Sequence, residues 1–282
     1  MSSTMISVSD LLTKYPNIEI EEGNQATALC LIDSRVHGLF ACMYCILYGL
    51  FICEQENMHP VIHLGPHHLY YEEKYGENIF NYFFEQPYTT TEGIHRMKVI
   101  HPDIFITWCN ISTLEKKISN LLIQKYFRLK PIYEDIIKDF VSQHYWGHRM
   151  LGVHYRGTDK ATETNLVPFE EYVEKIDYLL KNRICDRIFF ATDEIHLRGY
   201  IRKRYRERAV LYSLEGDYSA TGTNNEKGLH YSLSTPYLHA KDAIIECYLL
   251  SNCQMLLSSA KSSMSLFSTF INPAIAHIVV EP

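Results

Sequence analysis

The 282-residue chain lacks a surplus of basic residues, a disulfide pattern and internal repeats. Its formal net charge of -6 gives no support to nucleic-acid binding. The eight cysteines show no disulfide-scaffold spacing. Cys42 and Cys45 form a Cys-x-x-Cys inside an apolar run, without a second ligand pair. These absences favour buried thiols in a reducing compartment over a zinc, redox or disulfide-stapled protein.

The chain also lacks the two usual marks of a membrane or export pathway. No basic region at the N-terminus leads into an apolar core, so no signal peptide is predicted. The apolar run at 38–53 is shorter than the roughly 20 residues of a membrane span, contains Gly49 and has no flanking basic cluster. We expect a buried helix there, no transmembrane segment, and a cytoplasmic protein.

What the chain does contain is a regular alternation of strand and helix patterns. Hydrophobic residues make up 46% and charged residues 21%, which is ordinary for a folded protein of one large or two medium domains. Strands are predicted at 28–32, 60–64, 150–153, 187–191, 209–213, 255–257 and 277–280. Helices are predicted at 38–53, 114–127, 132–143, 168–180, 195–208, 236–251 and 263–270. The alternation predicts a parallel, doubly wound sheet.

Three finer expectations accompany this pattern. Residues 89–110 are predicted to be connecting loops with a short strand at 104–108. The helix that begins at Pro168 is predicted to pack through Phe169, Val173, Ile176 and Leu180. A domain boundary is predicted near residue 145, which divides the chain into domains 1–145 and 146–282.

Five ionisable side chains lie within ten positions directly after the strand at 150–153. They are His154, Arg156, Asp159, Lys160 and Glu163. Polar residues between a strand end and a helix start are where open α/β sheets bind ligands, although a solvated loop is the alternative. An arginine between small loop elements suits a phosphate, since its planar fork makes paired hydrogen bonds to oxyanions.

An aromatic stretch at 65–88 allows two interpretations. Aromatic rings can stack on sugars, which would suit an acceptor site, but packing in a core is their commoner use. The adjacent pair His67 and His68 lacks an acidic partner at ligand spacing, so no metal site is predicted. The aromatic residues are Tyr70, Tyr71, Tyr75, Phe80, Tyr82, Phe83, Phe84 and Tyr88.

The stretch 154–172 resembles the donor-site motif of α1,6-fucosyltransferases, a family that includes the animal core enzyme and bacterial nodulation enzymes. The similar segments read HYRGTDK (154–160), TE (162–163) and PFEEY (168–172). The resemblance covers roughly residues 120–270 and fades towards the N-terminus. It implies a GT-B glycosyltransferase with two Rossmann-like domains facing a cleft. It further implies metal-independent, inverting transfer of fucose from GDP-fucose to a glycan, with no cofactor beyond that donor.

The resemblance also assigns roles to individual residues of the donor site. His154 would contact the guanosine, Arg156 the β-phosphate, and Asp159 would belong to the same donor-binding motif. Glu246 stands where the family has an aspartate that reads guanine. Ser262 and Ser263 match a serine pair whose first hydroxyl contacts the β-phosphate.

The residues themselves support some of these roles and offer alternatives for each. Ser262 and Ser263 stand at a predicted helix start, where free amides favour a phosphate and where N-capping is the alternative. A carboxylate such as Glu246 can pair with guanine N1–H and its 2-amino group, and an exposed helix face is the alternative. For Asp193, at a strand end, capping of the next helix is the alternative.

For catalysis, the resemblance implies Glu163 as the base, Lys160 as its partner, and Asp193 with Glu194 nearby. A base near the acceptor and stabilisation of the leaving diphosphate are what such a transfer needs. The chain is one residue shorter between Lys160 and Glu163 than the family pattern. It also has Gly157 where the core enzymes carry a second arginine, which weakens the expected phosphate clamp.

Two other kinds of function compete with fucose transfer to a glycan. One is a transferase for another GDP-sugar or for a protein O-linked acceptor. The other is a nucleotide-sugar-binding protein without catalysis, which the joint presence of Lys160, Glu163, Asp193 and Ser262 disfavours. Neither the acceptor, the linkage nor the oligomeric state follows from the sequence.

Overall fold

The chain folds into two units, Met1–Leu129 and Lys130–Pro282. A computed structural model describes residues 25–31, 38–55, 58–66, 68–87, 94–99, 116–157, 167–218, 234–259 and 262–281, with the backbone alone in 25–31 and 94–99. Each unit contains its own sheet, and every strand pair in both sheets is parallel. The predicted α/β class is therefore confirmed.

A three-stranded sheet lies at the centre of the first unit. β1 (Gln25–Leu31) pairs with β2 (His59–His63) on one side and with β3 (Ile94–Val99) on the other. The connection from β1 to β2 contains α1 (Leu39–Gln55), and α3 (Lys116–Tyr126) packs against it. Most side chains of α1 are buried, as expected of a helix that is apolar all round. The prediction of a buried helix there is confirmed.

The aromatic stretch after β2 contributes to the core of this unit. It contains a 3₁₀ turn (Glu73–Tyr75) and the short helix α2 (Phe80–Phe83). The rings of Phe80 and Phe84 stack with centroids 5.0 Å apart, and both meet Phe127 edge-on at 5.6 and 5.3 Å. These contacts support core packing as the use of these rings.

The strand β3 corrects the expectation that residues 89–110 are connecting loops. It runs over Ile94–Val99 and pairs with β1. Its sequence, IHRMKV, mixes basic and apolar residues, a composition found on edge strands, and β3 is at the edge of the described sheet. The sequence rule for buried strands therefore missed it. The strand predicted at 104–108 lies outside the described residues.

The second unit contains a five-stranded parallel sheet. Its strands are β4 (Met150–Tyr155), β5 (Arg187–Thr192), β6 (Ala209–Val210), β7 (Met255–Ser259) and β8 (Ala276–Val280), arranged in the order β6-β5-β4-β7-β8. Every residue of β4, the central strand, is buried. The order reverses between β4 and β7, so the carboxyl ends of these two strands border the crevice where doubly wound sheets bind ligands.

Among the described residues, five helices accompany this sheet: α4 (Pro131–His144), α5 (Phe169–Lys181), α6 (Ile195–Tyr205), α7 (Pro236–Ser251) and α8 (Ser263–Ile271). The predicted helices agree with these bounds to within a few residues. The predicted helix 195–208 ends earlier, because Arg206 has a positive φ of 51° and starts a 3₁₀ turn. The strand predicted at 209–213 shortens to β6.

The buried face of α5 differs from the predicted one. Tyr172, Ile176 and Leu179 are the buried residues, while Phe169, Val173 and Leu180 are only partly buried. Tyr172 is not part of the predicted apolar face, yet its ring packs edge-on against that of Tyr155 with centroids 5.1 Å apart. A tyrosine can bury its ring and keep its hydroxyl partnered, which an apolar-only pattern does not register.

The division between the units lies earlier than the predicted boundary at 145, because α4 packs in the second unit. The hydroxyls of Tyr133 on α4 and Tyr237 on α7 are 2.7 Å apart. The ring of Phe140 meets that of Phe189 on β5 edge-on. Tyr145, just after α4, donates a hydrogen bond to the Leu249 carbonyl at 3.3 Å.

Candidate active site

The candidate site lies at the carboxyl ends of the two strands that border the crevice. The chain leaves β4 through His154, Tyr155 and Arg156, and it leaves β7 towards Ser262, the N-cap of α8. His154 is buried and Arg156 is partly exposed. Two segments predicted from motifs 108 residues apart are therefore adjacent in the fold.

A buried histidine joins these two segments. Nδ1 of His154 lies 2.7 Å from the hydroxyl oxygen of Ser265 and 3.0 Å from that of Ser262. Burial, together with the charge of Arg156, lowers the pKa of His154 from 6.5 to about 3. The ring is therefore neutral near pH 7, and the two hydroxyls hold it through Nδ1. Nε2 is left as the ring nitrogen for other contacts.

The first turn of α8 combines a cap with an anion site. Ser262 has an extended backbone, and its hydroxyl accepts a hydrogen bond from the Ser265 amide at 3.3 Å. N-capping, one of the two interpretations, is therefore present. Since this hydroxyl also contacts His154 and is buried, the partly exposed Ser263 and the first amides of α8 are better placed for an oxyanion.

Two acidic residues at the end of β5 face the loop that follows β4. The Gly157 amide donates to Asp193 Oδ1 at 3.4 Å. A Cβ added at Gly157 would lie 1.7 Å from Oε1 of Glu194 and 2.9 Å from the ring of Tyr155. Burial and the charge of Asp193 raise the pKa of Glu194. The space beside Gly157, where the resembling enzymes carry an arginine, is thus occupied by a carboxyl group.

Glu246 is buried in an ion pair and is not on an exposed helix face. Its Oε1 accepts a hydrogen bond from Arg198 Nη1 at 2.9 Å, and Nη2 of Arg198 donates to the Tyr212 carbonyl. Burial raises the pKa of Glu246 to about 7, although Arg198 acts in the opposite direction. Arg198 was not predicted from the sequence, where it is one of several basic residues on α6.

Two further polar residues of α7 were also missed. Asp242 accepts hydrogen bonds from the amides of Glu215 and Gly216 at 3.0 and 2.8 Å and from the Tyr218 hydroxyl at 3.2 Å. The ring nitrogens of His239 contact the carbonyls of Thr235 and Asp217. Both side chains are buried, and burial raises the pKa of Asp242.

A signal for these residues was present in the sequence. His239, Asp242 and Glu246 are separated by three and four positions, so they lie on one face of a helix whose other residues are mostly apolar. Three ionisable groups in a buried helical stripe indicate a polar network. Of these three residues, the sequence analysis predicts only Glu246 as a site residue.

Several predicted residues lie outside the described part of the chain. Asp159, Lys160 and Glu163 fall in this group, as does the turn after β1 with Arg35 and His37. In the described ranges, the fold brings His154, Arg156, Asp193, Ser262 and Ser263 to the carboxyl edge of one sheet.

Metal-ligand clusters and membrane-spanning helices are both absent from the described residues. Within those ranges no group of three or more His, Cys, Asp or Glu side chains is arranged to hold a metal ion. No helix among them is long and apolar enough to cross a membrane. Cys42 and Cys45 are buried on α1, and Cys42 contacts the His68 ring through Sγ and Nε2 at 3.2 Å.

No protein-family model matches the chain, and no curated protein matches it by sequence. Solved structures do match. The NodZ α-1,6-fucosyltransferase soaked with GDP-fucose has a TM-score of 0.57 and 14% identity, covering 88% of this chain and 94% of that one. POFUT1 in complex with GDP has a TM-score of 0.53 and 11% identity, covering 91% and 99%. An arginine-to-lysine variant of Arabidopsis thaliana FUT1 in complex with GDP has a TM-score of 0.53 and 10% identity, covering 93% of this chain and 72% of that one.

The chain has the fold of these fucosyltransferases. The predicted GT-B class is confirmed, and so is the resemblance seen in the motif, as a likeness of fold. The similarity extends over about nine-tenths of the chain, which is more than the roughly 120–270 over which the sequence resemblance was visible. The fucosyltransferase fold therefore includes the first unit, where the sequence resemblance fades.

Proposed function

We propose that this chain is an inverting, metal-independent fucosyltransferase that moves fucose from GDP-fucose to a hydroxyl of a glycan acceptor. One observation carries the proposal. His154 is hydrogen-bonded to Ser262 and Ser265 at the start of α8, beside Arg156, at the point where the strand order of the sheet reverses. Proteins of the same fold were solved with GDP-fucose or GDP. A crevice of this kind suits a nucleoside diphosphate.

The diphosphate would lie between Arg156 and the start of α8. The guanidinium fork of Arg156 can donate two parallel hydrogen bonds to one phosphate. The first amides of α8 and Ser263 lie at the same carboxyl edge of the sheet, where the helix dipole favours an anion. These groups supply positive charge to the leaving GDP without a metal ion.

The nucleoside would be recognised by His154 and Glu246. A neutral His154, held through Nδ1, presents Nε2 in a fixed orientation. The Glu246 carboxylate offers acceptors that match guanine N1–H and its 2-amino group. Both side chains are buried, so each can hold its geometry without competition from water.

For the transfer itself we propose that Glu163 is the general base and that Lys160 is its partner. Asp193 is proposed to act beside them, because its contact with the Gly157 amide puts it at the start of the same loop. Asp159 is proposed as a further donor-binding residue. We also propose that the enzyme works in a reducing compartment such as the cytoplasm, since its eight cysteines show no disulfide-scaffold spacing.

One observation supports a second acceptor class. The chain matches POFUT1, a protein O-fucosyltransferase, with a TM-score of 0.53, close to the 0.57 for NodZ, so the fold also suits a protein acceptor. Parallel assays with glycans and with unmodified protein acceptors distinguish the two. If the chain binds GDP-fucose and transfers it to neither, the non-catalytic binder is the correct interpretation.

The decisive experiment combines ligand binding with substitution of Arg156. In wild type, GDP-fucose at 100 times its Kd should stabilise the fold by about 2.7 kcal/mol. Arg156→Ala should weaken binding about 10–100-fold, since charged hydrogen bonds are worth about 1.5–3 kcal/mol. Arg156→Lys should recover little, because a point charge does not replace the fork.

The exposed Arg202 on α6 provides a control with the same change of charge. Arg202→Ala should bind GDP-fucose like wild type. The proposal fails if wild type shows no stabilisation by GDP-fucose or GDP, or if Arg156→Ala keeps wild-type affinity.

A further inference from the structure

Arg198 on α6 and Glu246 on α7 form a buried ion pair that joins two helices far apart in the sequence. Arg198 is the fourth residue of α6, and Glu246 lies 48 positions later on α7. Their side chains are 12% and 8% exposed. The pair contributes weakly to stability as a rule, since removing both charges from water costs about as much as their attraction returns. A contribution to stability therefore does not explain this buried pair, and a role in ligand binding is the better explanation.

The two side chains are held in one geometry by their other contacts. Arg198 Nη2 donates to the Tyr212 carbonyl, while Nη1 donates to Glu246 Oε1 at 2.9 Å. Arg198 thus joins α6, α7 and the segment after β6. Within the described ranges Glu246 accepts through Oε1 alone, so Oε2 is directed to no protein donor there.

The pair lies near the elements of the candidate site. α7 packs against α8, β4 and β5, which carry Ser263, His154 and the approach to Asp193. The charge of Asp193 contributes to the electrostatic environment of Glu246. Glu246 is therefore at the nucleotide end of the sheet and not in a remote part of the core.

We propose that Arg198 is a positioning residue that keeps Glu246 ionised and oriented so that its carboxylate reads the guanine base. This inference rests on the proposed function, because it assigns the base-recognition part of the same donor site. Guanine offers two adjacent donors, N1–H and the 2-amino group, to an acceptor-only carboxylate. A protonated Glu246 would present one O–H towards donors and lose part of that match.

The surroundings of Glu246 oppose its ionisation, and Arg198 favours it. Burial raises the pKa of Glu246 to about 7, and the charges of Asp242 and Asp193 act in the same direction. Arg198 lowers it through its charge and its hydrogen bond. Among the described residues, the hydroxyls of Tyr145 and Tyr212 also interact electrostatically with Glu246.

The sign of the pH effect follows from these groups. Because Glu246 ionises near pH 7, its carboxylate is mostly present at pH 8 and mostly lost at pH 6. Base recognition should therefore weaken about tenfold between pH 8 and pH 6. Without Arg198 the pKa rises further, so the same loss should occur at higher pH.

The experiment is calorimetry with GDP and with inosine diphosphate, which lacks the 2-amino group, from pH 6 to pH 9. Glu246→Gln does not titrate, so its profile supplies the part that belongs to the diphosphate itself. Relative to that profile, wild type should lose about tenfold in GDP affinity from pH 8 to pH 6. Arg198→Met should bind GDP at least tenfold more weakly than wild type at pH 7.5 and regain affinity towards pH 9.

Two matched variants complete the set. Arg198→Lys keeps the positive charge and should restore part of the GDP affinity at pH 7.5. Arg202→Ala changes an exposed arginine of the same helix and should leave the profile unchanged. The preference for GDP over inosine diphosphate should shrink in both Arg198→Met and Glu246→Gln.

A purely structural role for Arg198 gives a different result. Arg198→Met would then weaken GDP and inosine diphosphate by one common factor at every pH, and that outcome overturns the inference. If Arg198→Met does not fold, an unchanged pH profile and base preference in Glu246→Gln overturn it instead. Failure of wild type to bind GDP at any pH would contradict the proposed function itself.

Discussion

The buried ring of His154 makes the stability of this protein depend on pH in a defined direction. Its pKa in the fold is about 3, compared with 6.5 for an ordinary histidine. The unfolded chain therefore binds a proton more readily than the folded one. The stabilisation is fully present above pH 6.5 and is lost progressively as the pH falls from there towards 3.

The magnitude follows from the two pKa values. One pKa unit corresponds to about 1.4 kcal/mol, so lowering the pH from 7 to 5 should cost about 2 kcal/mol of unfolding free energy through this one ring. The perturbation that isolates it is His154→Asn. The asparagine amide can take the place of Nδ1 against Ser262 and Ser265, and it does not titrate.

The assay is urea unfolding of wild type and His154→Asn at pH 7 and at pH 5. Other groups titrate in both proteins, so they cancel in the difference between them. Wild type should be the more stable protein at pH 7, and its advantage should shrink by about 2 kcal/mol at pH 5. Arg202→Ala, at an exposed side chain of α6 that does not titrate between pH 5 and pH 7, serves as the control, and its difference from wild type should be the same at both pH values.

A constant difference between wild type and His154→Asn would refute this reasoning. It would mean that the ring accepts a proton in the folded state without the penalty that its burial implies. The tie between β4 and α8 would then not depend on a neutral histidine.

Three other predictions concern catalysis and the loop after β4. Glu163→Gln should lower kcat about 10²–10⁴-fold while calorimetry shows unchanged GDP affinity, and transfer at the wild-type rate would make Asp193 the next candidate base. Fucose transfer should survive EDTA, whereas complete loss that manganese restores would overturn the metal-independent mechanism. Gly157→Ala should lower the unfolding free energy by about 1–2 kcal/mol, because its Cβ meets the Glu194 carboxyl and the Tyr155 ring. In a double-mutant cycle Glu194→Ala should recover part of that loss, and strict additivity would contradict the contact.

The elements that local patterns predict correctly are those that bury a continuous apolar surface. β4, β5 and α1 are buried along most of their length, so their sequences are almost wholly apolar and could be recognised without tertiary information. Strand β3 lies at the edge of the described sheet and contains basic residues, a composition that edge strands tolerate, so the same rule failed there.

The residues of the candidate site also differ in whether the sequence predicts them. Arg156, Ser262 and Asp193 were predictable, since each stands beside a strand end or a helix start that the sequence marks. Arg198 was not, because nothing in a basic helix distinguishes the one arginine that turns inward from those in solvent.

The sequence by itself therefore determined the α/β alternation, the order of the elements and the position of the motif at a strand end. Local propensity and apolar periodicity suffice for these, because they depend on residues within one or two turns of each other. Only the tertiary structure decided which polar groups meet: His154 with Ser262 and Ser265, and Arg198 with Glu246. These partners are 48 to 111 positions apart in the chain, and their contact depends on the strand order, which local patterns do not encode.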